Sequence, residues 1–546
     1  MLTIAAALAV TILLILSMEN LAQPRLRRRA IFRRMSLLSA MPAVVFFTTL
    51  TMISYRPIFS ATATLIVFAG IVVANNAKYA ILREPLVFSD FRLLREAVNH
   101  PALYVRYIGL WKILGVCFAA VAAILGAILF EPPLGERTHP DDFIPAIVYL
   151  ATVLGLIYAI VRGPLRGTFV ALLRKFGPTT NVTEDIDKLT LVVCLIFYFF
   201  LAGEPDGPQA APAAAPRPKP AANAQPAAAP HPKPAADAQP AAKRFLDRRG
   251  PDIIAVQSES FFDARRLHGV VPQDLLAHYD QRAAEACYSG RLSVPARGYT
   301  MRTEFAFLSG LPNAALGYHR FNPYLQLCKQ PVWTLAQLLR SLGYRTICIH
   351  PFHADFFDRQ DVMPNLGFDA FLDIESFADA ARLGPYVSDL AVAERICSIL
   401  GEKPEQPAFI FAITMENHGR WERGRLDDHA PDPGIEKEPL GCHSLGLYLR
   451  HLRSTDQLVA RITDELTARK QEGVFCLYGD HLPSLPDAFR AAQFDDPRTD
   501  YLVWRKGGAT PRPLDTSADV LGRLLLHAAF SPQALESPQS AVLSAE

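Results

Sequence analysis

The N-terminal part of the chain is a succession of apolar stretches: roughly Leu2 to Met18, Leu37 to Ser54, Phe59 to Ala77, Ile108 to Phe130, Phe143 to Val161 and Leu189 to Gly203. Each approaches the ~20 apolar residues that carry a helix across a bilayer, the last being the shortest. Such a pattern rules out one soluble globule and predicts a membrane domain of about six helices over 1–203. Leu2 to Met18 has no basic segment before it and is followed by arginines and further apolar runs. It therefore reads as an uncleaved first helix rather than a signal peptide.

Basic residues between spans favour the cytoplasmic side. Arg25, Arg27, Arg28, Arg29, Arg33 and Arg34 form the strongest such cluster. With that loop inside, Tyr55 to Ile58 falls outside, and the segment with Lys78, Arg83, Arg92, Arg95 and Arg106 falls inside. EPPLGERTHPDD is then outside, and Arg162, Arg166, Arg174 and Lys175 are inside. This count places everything after Gly203 outside the cytoplasm.

From Glu204 the composition changes to PAAAPRPKPAANAQ followed by PAAAPHPKPAADAQ, a near-perfect tandem repeat. Too few large apolar groups are present to bury a core, and proline favours an extended spacer, so 204–247 reads as a flexible Pro/Ala-rich linker. Over 248–535, strand-like runs (DIIAVQS, RTICIH, AFIFAIT, VFCLYG) alternate with helix-like stretches such as LGLYLRHLRSTDQLVARITDEL. That alternation predicts an α/β domain with a large, mostly parallel sheet, and the length suffices for one core. Residues 536–546 remain as a tail.

The net charge of +2 and the lack of a basic stripe in the outer part argue against nucleic acid as a partner. Cys117 and Cys194 fall in spans, and the other six cysteines in a compartment that permits disulfides. Cys348 and Cys476 read as core thiols, and a Cys287–Cys328 pair is conceivable.

In GVFCLYGDHLPS, a buried run stops at a glycine followed by Asp480 and His481. Ligands of open α/β sheets gather beyond the carboxyl ends of strands, and carboxylate plus imidazole suits a divalent ion. The plain alternative is a turn in which Asp480 caps the next segment. PDIIAVQSESFFD brings Glu259 to the same edge. Thr300, in GYTMRTEF, is a hydroxyl of the kind that a divalent ion activates for attack on phosphorus. RTICIHPFHADFFDRQ carries His350, Phe357 and Arg359. An arginine fork suits a phosphate oxygen and a histidine can protonate a leaving alkoxide, although Arg359 could equally pair with Asp355 or Asp361. AFIFAITMENHGRW adds His418. Acids or histidines thus stand at four strand ends.

With these residues the outer domain resembles the lipoteichoic acid synthase and phosphoglycerol transferase family of the alkaline phosphatase and sulfatase superfamily. QSESFF, GYTMRTEF, the His350 to Arg359 segment, MENHG and YGDH stand in that family's order, and NNAKYAILREPLVFSDF is similar to a segment of its membrane part. The resemblance implies a sulfatase-like, alkaline-phosphatase-type fold. It implies that Glu259, Thr300, Asp480 and His481 bind one divalent ion, Mn²⁺ foremost with Mg²⁺ or Zn²⁺ as alternatives, with Thr300 also the nucleophile. His350, Phe357, Arg359 and His418 match positions that hold a glycerol phosphate head group, with Phe357 where relatives carry Trp. SVPAR, Ser293 to Arg297, is similar to the formylglycine signal of true sulfatases. It lies too far upstream of Leu308-Ser309-Gly310, whose spacing selects Thr300 instead.

The implied reaction moves glycerol phosphate from phosphatidylglycerol to a hydroxyl of an extracytoplasmic glycan or polymer. The implied location is a bacterial inner membrane crossed several times. A phosphoethanolamine transferase and a non-catalytic scaffold are the competing expectations.

Overall fold

The computed structural model describes residues 2–24, 36–101, 110–135, 139–202 and 250–530, apart from 268, 326, 330, 403, 404, 427, 428, 431 and 433. Contacts divide the chain into two compact units, Met1–Gly207 and Pro208–Glu546. The Arg25 to Arg34 cluster, the Pro/Ala repeat and the 536–546 tail lie outside the described residues.

In the first unit the apolar stretches form helices Leu2–Glu19, Ser36–Ser54, Pro57–Leu82, Leu110–Phe130, Ile144–Val161 and Leu191–Ala202. Among the described residues, Leu2–Glu19, Pro57–Ala80 and Asp141–Val161 have the length and apolarity to cross a membrane. Ala40–Ser54, Leu114–Phe130 and Leu191–Ala202 are shorter apolar helices. The last differs most from expectation: twelve residues rise about 18 Å, short of a ~30 Å hydrocarbon core. Most of its side chains are buried within the unit.

Two carboxylates tie this unit together. Glu131 accepts the Ile58 and Phe59 amides at 2.7 Å each, an anion on the free N–H groups that open Pro57–Leu82. Asp90 accepts Lys78 Nζ at 2.7 Å and the Val87 amide at 2.7 Å, while Asn75 holds the Leu86 amide at 2.8 Å. The NNAKYAILREPLVFSDF segment thereby folds back on its own helix.

The second unit is built on an eight-stranded sheet with strands β1 (Asp252–Ser258), β2 (Tyr288–Ser293), β3 (Arg345–Ile349), β4 (Ala370–Leu372), β7 (Ala408–Ile413), β8 (Gly473–Gly479), β9 (Thr499–Arg505) and β10 (Thr516–Ser517). Its order is β10-β2-β9-β8-β1-β7-β3-β4, and β5 (Arg382–Leu383) with β6 (Tyr386–Val387) forms a separate hairpin. The strands β8, β1, β7 and β3 are mutually parallel neighbours, whereas β9 runs antiparallel to both β8 and β2.

Every residue of β1, β7 and β8 is buried, which is why these strands read as continuous apolar runs instead of alternating ones. Alternate side chains supply two cores. Ile254, Val256, Ile410, Ala412, Phe475 and Leu477 pack with helices Asp389–Glu402 and His443–Ala468. Ile253, Ala255, Phe409, Phe411, Val474 and Cys476 pack with Thr300–Ser309 and Ala518–Phe530. Truncating one such aromatic, Phe411→Ala, would cost about 3–5 kcal/mol. Cys287 and Cys328, the conceivable pair, are separate buried thiols, and all eight cysteines are free.

Candidate active site

Because β8, β1, β7 and β3 run in one direction side by side, their carboxyl ends deliver Asp480 and His481, Glu259, His418 and His350 to one edge of the sheet. Gly479 permits the approach: a Cβ there would lie 1.9 Å from the Phe261 carbonyl oxygen, so only glycine lets β8 pass beneath the turn that follows β1.

Glu259, Asp480 and His481 offer ligand atoms that all lie within 4.8 Å of one another. Ser260, in a left-handed conformation at φ 54°, holds the group together. Its amide donates to Asp480 Oδ1 and its hydroxyl to Glu259 Oε1, both at 2.8 Å. His481 Nδ1 donates to the Leu482 carbonyl at 3.0 Å, so in the neutral ring Nε2 carries the lone pair. That nitrogen faces Asp480 Oδ2 at 3.4 Å and Glu259 Oε1 at 3.5 Å.

Two carboxylates and an imidazole lone pair repel one another unless a positive charge lies among them. Asp480 Oδ2 is buried and accepts no hydrogen bond. Burial and the Glu259 charge push the Asp480 carboxyl up to about 6. Burial opposes charge on His481 as well, but Asp480 and Glu259 outweigh it and raise that pKa. These donors fit a divalent cation, by their oxygen and imidazole chemistry and by the orphaned oxygen.

Thr300 opens helix Thr300–Ser309, preceded by Tyr299 at φ 63°. Its hydroxyl lies against Asp480 closely enough to favour that carboxylate's ionised form, and Thr303 Oγ1 donates to the Asp480 carbonyl at 2.8 Å. Ser293 by contrast is an exposed residue at the end of β2.

One helical turn after Thr300, Glu304 organises the β3 side. Arg359 is 1% exposed and Glu304 fully buried. Arg359 Nη2 donates to Glu304 Oε1 and Nε to Oε2 at 3.3 Å, while the Tyr324 hydroxyl caps Oε2 at 2.6 Å. Neither Asp355 nor Asp361 is the partner. Arg359 Nη1 donates to His350 Nε2 at 3.2 Å, and His350 Nδ1 to the Ile413 carbonyl at 3.2 Å.

Both nitrogens of the fully buried His350 are therefore engaged, and burial followed by the Arg359 charge pushes its pKa well below the usual value. The expected proton donor has no free nitrogen from which to donate. Its geometry is that of a group that orients Arg359. Phe357, at φ 57°, sets its ring centroid 5.2 Å from the Arg359 guanidinium. His418 is half-buried, with Nδ1 2.9 Å from the Gly419 carbonyl. Burial pushes its pKa down to about 4, with His481 adding to the effect.

Ser260, Glu304 and Tyr324 escape a strand-end reading because none ends an apolar run. A signal for Glu304 does exist in the sequence: it stands four residues after Thr300 in TMRTEFAF, a carboxylate on an otherwise apolar helical segment.

The α/β domain gathers acids and histidines at the carboxyl edge of its parallel strands, and the family model that it matches is one of the alkaline phosphatase superfamily. The chain belongs to the sulfatase family, whose model matches residues 251–535. It is similar to the capsular polysaccharide biosynthesis protein RkpI of Rhizobium meliloti (strain 1021), 30% identical over 521 residues that cover 92% of this chain and 89% of that protein. Among solved structures it is similar to the phosphoglycerol transferase GacH of Streptococcus pyogenes in complex with sn-glycerol-1-phosphate. The identity there is 24% and the TM-score 0.43, over 56% of this chain and 82% of that one. It is also similar to the lipooligosaccharide phosphoethanolamine transferase A of Neisseria meningitidis, at 12% identity and TM-score 0.48, over 94% and 95% of the two chains.

Proposed function

We propose that this protein is a metal-dependent phosphotransferase of the bacterial inner membrane, crossing it several times, with residues 248–535 outside the cytoplasm and 204–247 as their spacer. In this reading it moves glycerol phosphate from phosphatidylglycerol to a glycan hydroxyl. The observation that carries the reading is Thr300: a hydroxyl at a helix start, against an Asp480 whose free oxygen faces Glu259 and His481. The full-length similarity to a protein named for capsular polysaccharide biosynthesis supports a glycan acceptor.

Glu259, Asp480, His481 and Thr300 would hold the ion, Mn²⁺ in this proposal. When bound, a divalent ion supplies Lewis acidity that lowers a hydroxyl pKa and offsets phosphoryl charge. Thr300 Oγ attacks phosphorus, the bond from phosphorus to the lipid oxygen breaks, and the lipid leaves with a proton as diacylglycerol. Glycerol phosphate remains esterified to Thr300 until an acceptor hydroxyl displaces it and Thr300 regains its proton. Glu304, His350 and the Phe356 carbonyl fix the Arg359 guanidinium before substrate arrives, and its second Nη2 N–H would meet a phosphoryl oxygen without reorganisation of the side chain. His418, with Nδ1 on the Gly419 carbonyl, presents Nε2 as an acceptor for a head-group hydroxyl.

The test is lipid turnover by full-length protein in detergent with Mn²⁺ and head-group-labelled phosphatidylglycerol. Diacylglycerol release should fall at least about a thousandfold in Thr300→Ala. Cleavage of phosphatidylethanolamine in place of phosphatidylglycerol would transfer the protein to the phosphoethanolamine class. Turnover of neither lipid would leave a scaffold.

A further inference from the structure

Beyond His418 lies a buried network that the reaction above does not use. Glu416, fully buried, accepts the Asp389 amide at 2.6 Å, the Ser454 hydroxyl at 2.7 Å and His451 Nδ1 at 2.9 Å. With Nδ1–H donated in that hydrogen bond to Glu416, the fully buried His451 accepts at Nε2 from Arg425 Nε at 3.0 Å. Arg425 also donates from Nη2 to the Glu416 carbonyl at 2.8 Å and from Nη1 to the Arg420 carbonyl at 2.9 Å, so the guanidinium is held on three sides.

Its carbon stands 5.6 Å from the centroid of the Tyr386 ring. Tyr386, on the β5–β6 hairpin, places its hydroxyl 3.4 Å from His418 Nδ1 and its ring 6.4 Å from that of Phe352, beside the β3 end. It thus forms a wall between the two halves of the site.

The geometry points to Tyr386 as a head-group contact that selects an uncharged polyol over an ammonium group, with Arg425, His451 and Glu416 as its positioning residues. This rests on the phosphoglycerol reading. An ammonium head group is recognised best over an aromatic face. Here a guanidinium already lies over the tyrosine, and a second cation beside it meets repulsion strengthened by the low local dielectric. A phenol hydroxyl next to a neutral imidazole provides uncharged donors and acceptors, which a polyol matches with its own hydroxyls.

The test uses the full-length protein in mixed micelles that contain phosphatidylglycerol or phosphatidylethanolamine, with kcat and KM measured for each. Tyr386→Phe should raise KM for phosphatidylglycerol about three- to tenfold, the loss of one neutral hydrogen bond, with kcat within about twofold. Arg425→Met should narrow the preference for phosphatidylglycerol about tenfold, and Arg425→Lys, which keeps the charge, should restore it. A purely structural role would lower both turnovers alike and leave their ratio fixed. Wild-type turnover of phosphatidylglycerol with KM and ratio unmoved in Tyr386→Phe would overturn this inference alone. Wild-type turnover of phosphatidylethanolamine only would overturn both it and the reading beneath it. Should Arg425→Met not fold, Tyr386→Phe decides.

Discussion

On the β3 side of the site a buried arginine meets its glutamate directly, Arg359 on Glu304, with His350 as a third partner. On the β7 side the same three residue types are threaded in another order, Arg425 to His451 to Glu416, with the imidazole between the charges. The two arrangements adjoin at one strand, because His350 donates to the carbonyl of Ile413, the last residue of β7. A direct pair fixes the arginine by charge. An interposed imidazole fixes it by hydrogen-bond direction, and burial then pushes the isolated Glu416 carboxyl up to about 7. In the reading proposed above, the direct form suits a guanidinium that meets phosphate, and the relayed form suits one that holds the Tyr386 ring in place.

Glu304→Ala is the change that should break the comparison most visibly. It strands the Arg359 charge in a site with 1% exposure, at a cost of about 3–5 kcal/mol in unfolding free energy. A denaturant titration that shows less than about 1 kcal/mol would mean the pair is not the anchor its geometry describes. Double-mutant cycles sharpen the contrast. Glu304→Gln with Arg359→Met should couple by about 2–3 kcal/mol, and Glu416→Gln with Arg425→Met by less than about 1 kcal/mol. Equal couplings would show that the interposed histidine makes no difference.

The acid pair Glu259 and Asp480 gives the third and smallest effect. Asp480 keeps its proton up to about pH 6 in the folded, metal-free protein, whereas an unfolded aspartate releases it near pH ~3.9. The folded state therefore binds more protons across that window, and metal-free stability falls as pH rises through it. A divalent cation such as Mn²⁺ requires the ionised Asp480 carboxylate and the unprotonated His481 ring. Its apparent affinity should weaken as pH falls, first through the raised His481 pKa and then below about pH 6, by up to about tenfold per pH unit, about 1.4 kcal/mol, for each group that takes up a proton. Titration calorimetry that gives the same affinity at pH 5 and pH 7.5 would contradict this arrangement.

Much of the frame was legible because buried parallel strands leave an unambiguous trace. DIIAVQS, RTICIH, AFIFAIT and VFCLYG became β1, β3, β7 and β8, four neighbours whose ends carry the predicted polar residues. The antiparallel strands β2 and β9 were not read, since TDYLVWR mixes polar and aromatic residues in the manner of many loops. Among the site residues, those that end strands could be found, and those that act through others could not. His451 and Thr455 stand three and seven residues after Tyr448 on the buried face of helix His443–Ala468, polar groups on an apolar stripe. That anomaly was visible, but only the fold supplies Glu416 and Asp389 as its explanation. The backbone carbonyls that engage His350 and His418 leave no mark on a sequence at all.

The position of β1 also governs when the site can exist. It is the first strand of its sheet to leave the ribosome, yet both its neighbours, β7 and β8, are made much later. The bond from the Ser260 amide to Asp480 spans 220 residues of chain. At ~5–20 residues per second, β1, every residue of which is buried in the finished sheet, waits about 10–45 s for its second neighbour, with unpaired edges open to other chains. A polypeptide cut short before Gly473 retains Glu259 and Thr300 but not Asp480 or His481. Cation capture would therefore report that synthesis of the domain has passed β8, and truncated products would be recognisable by its absence.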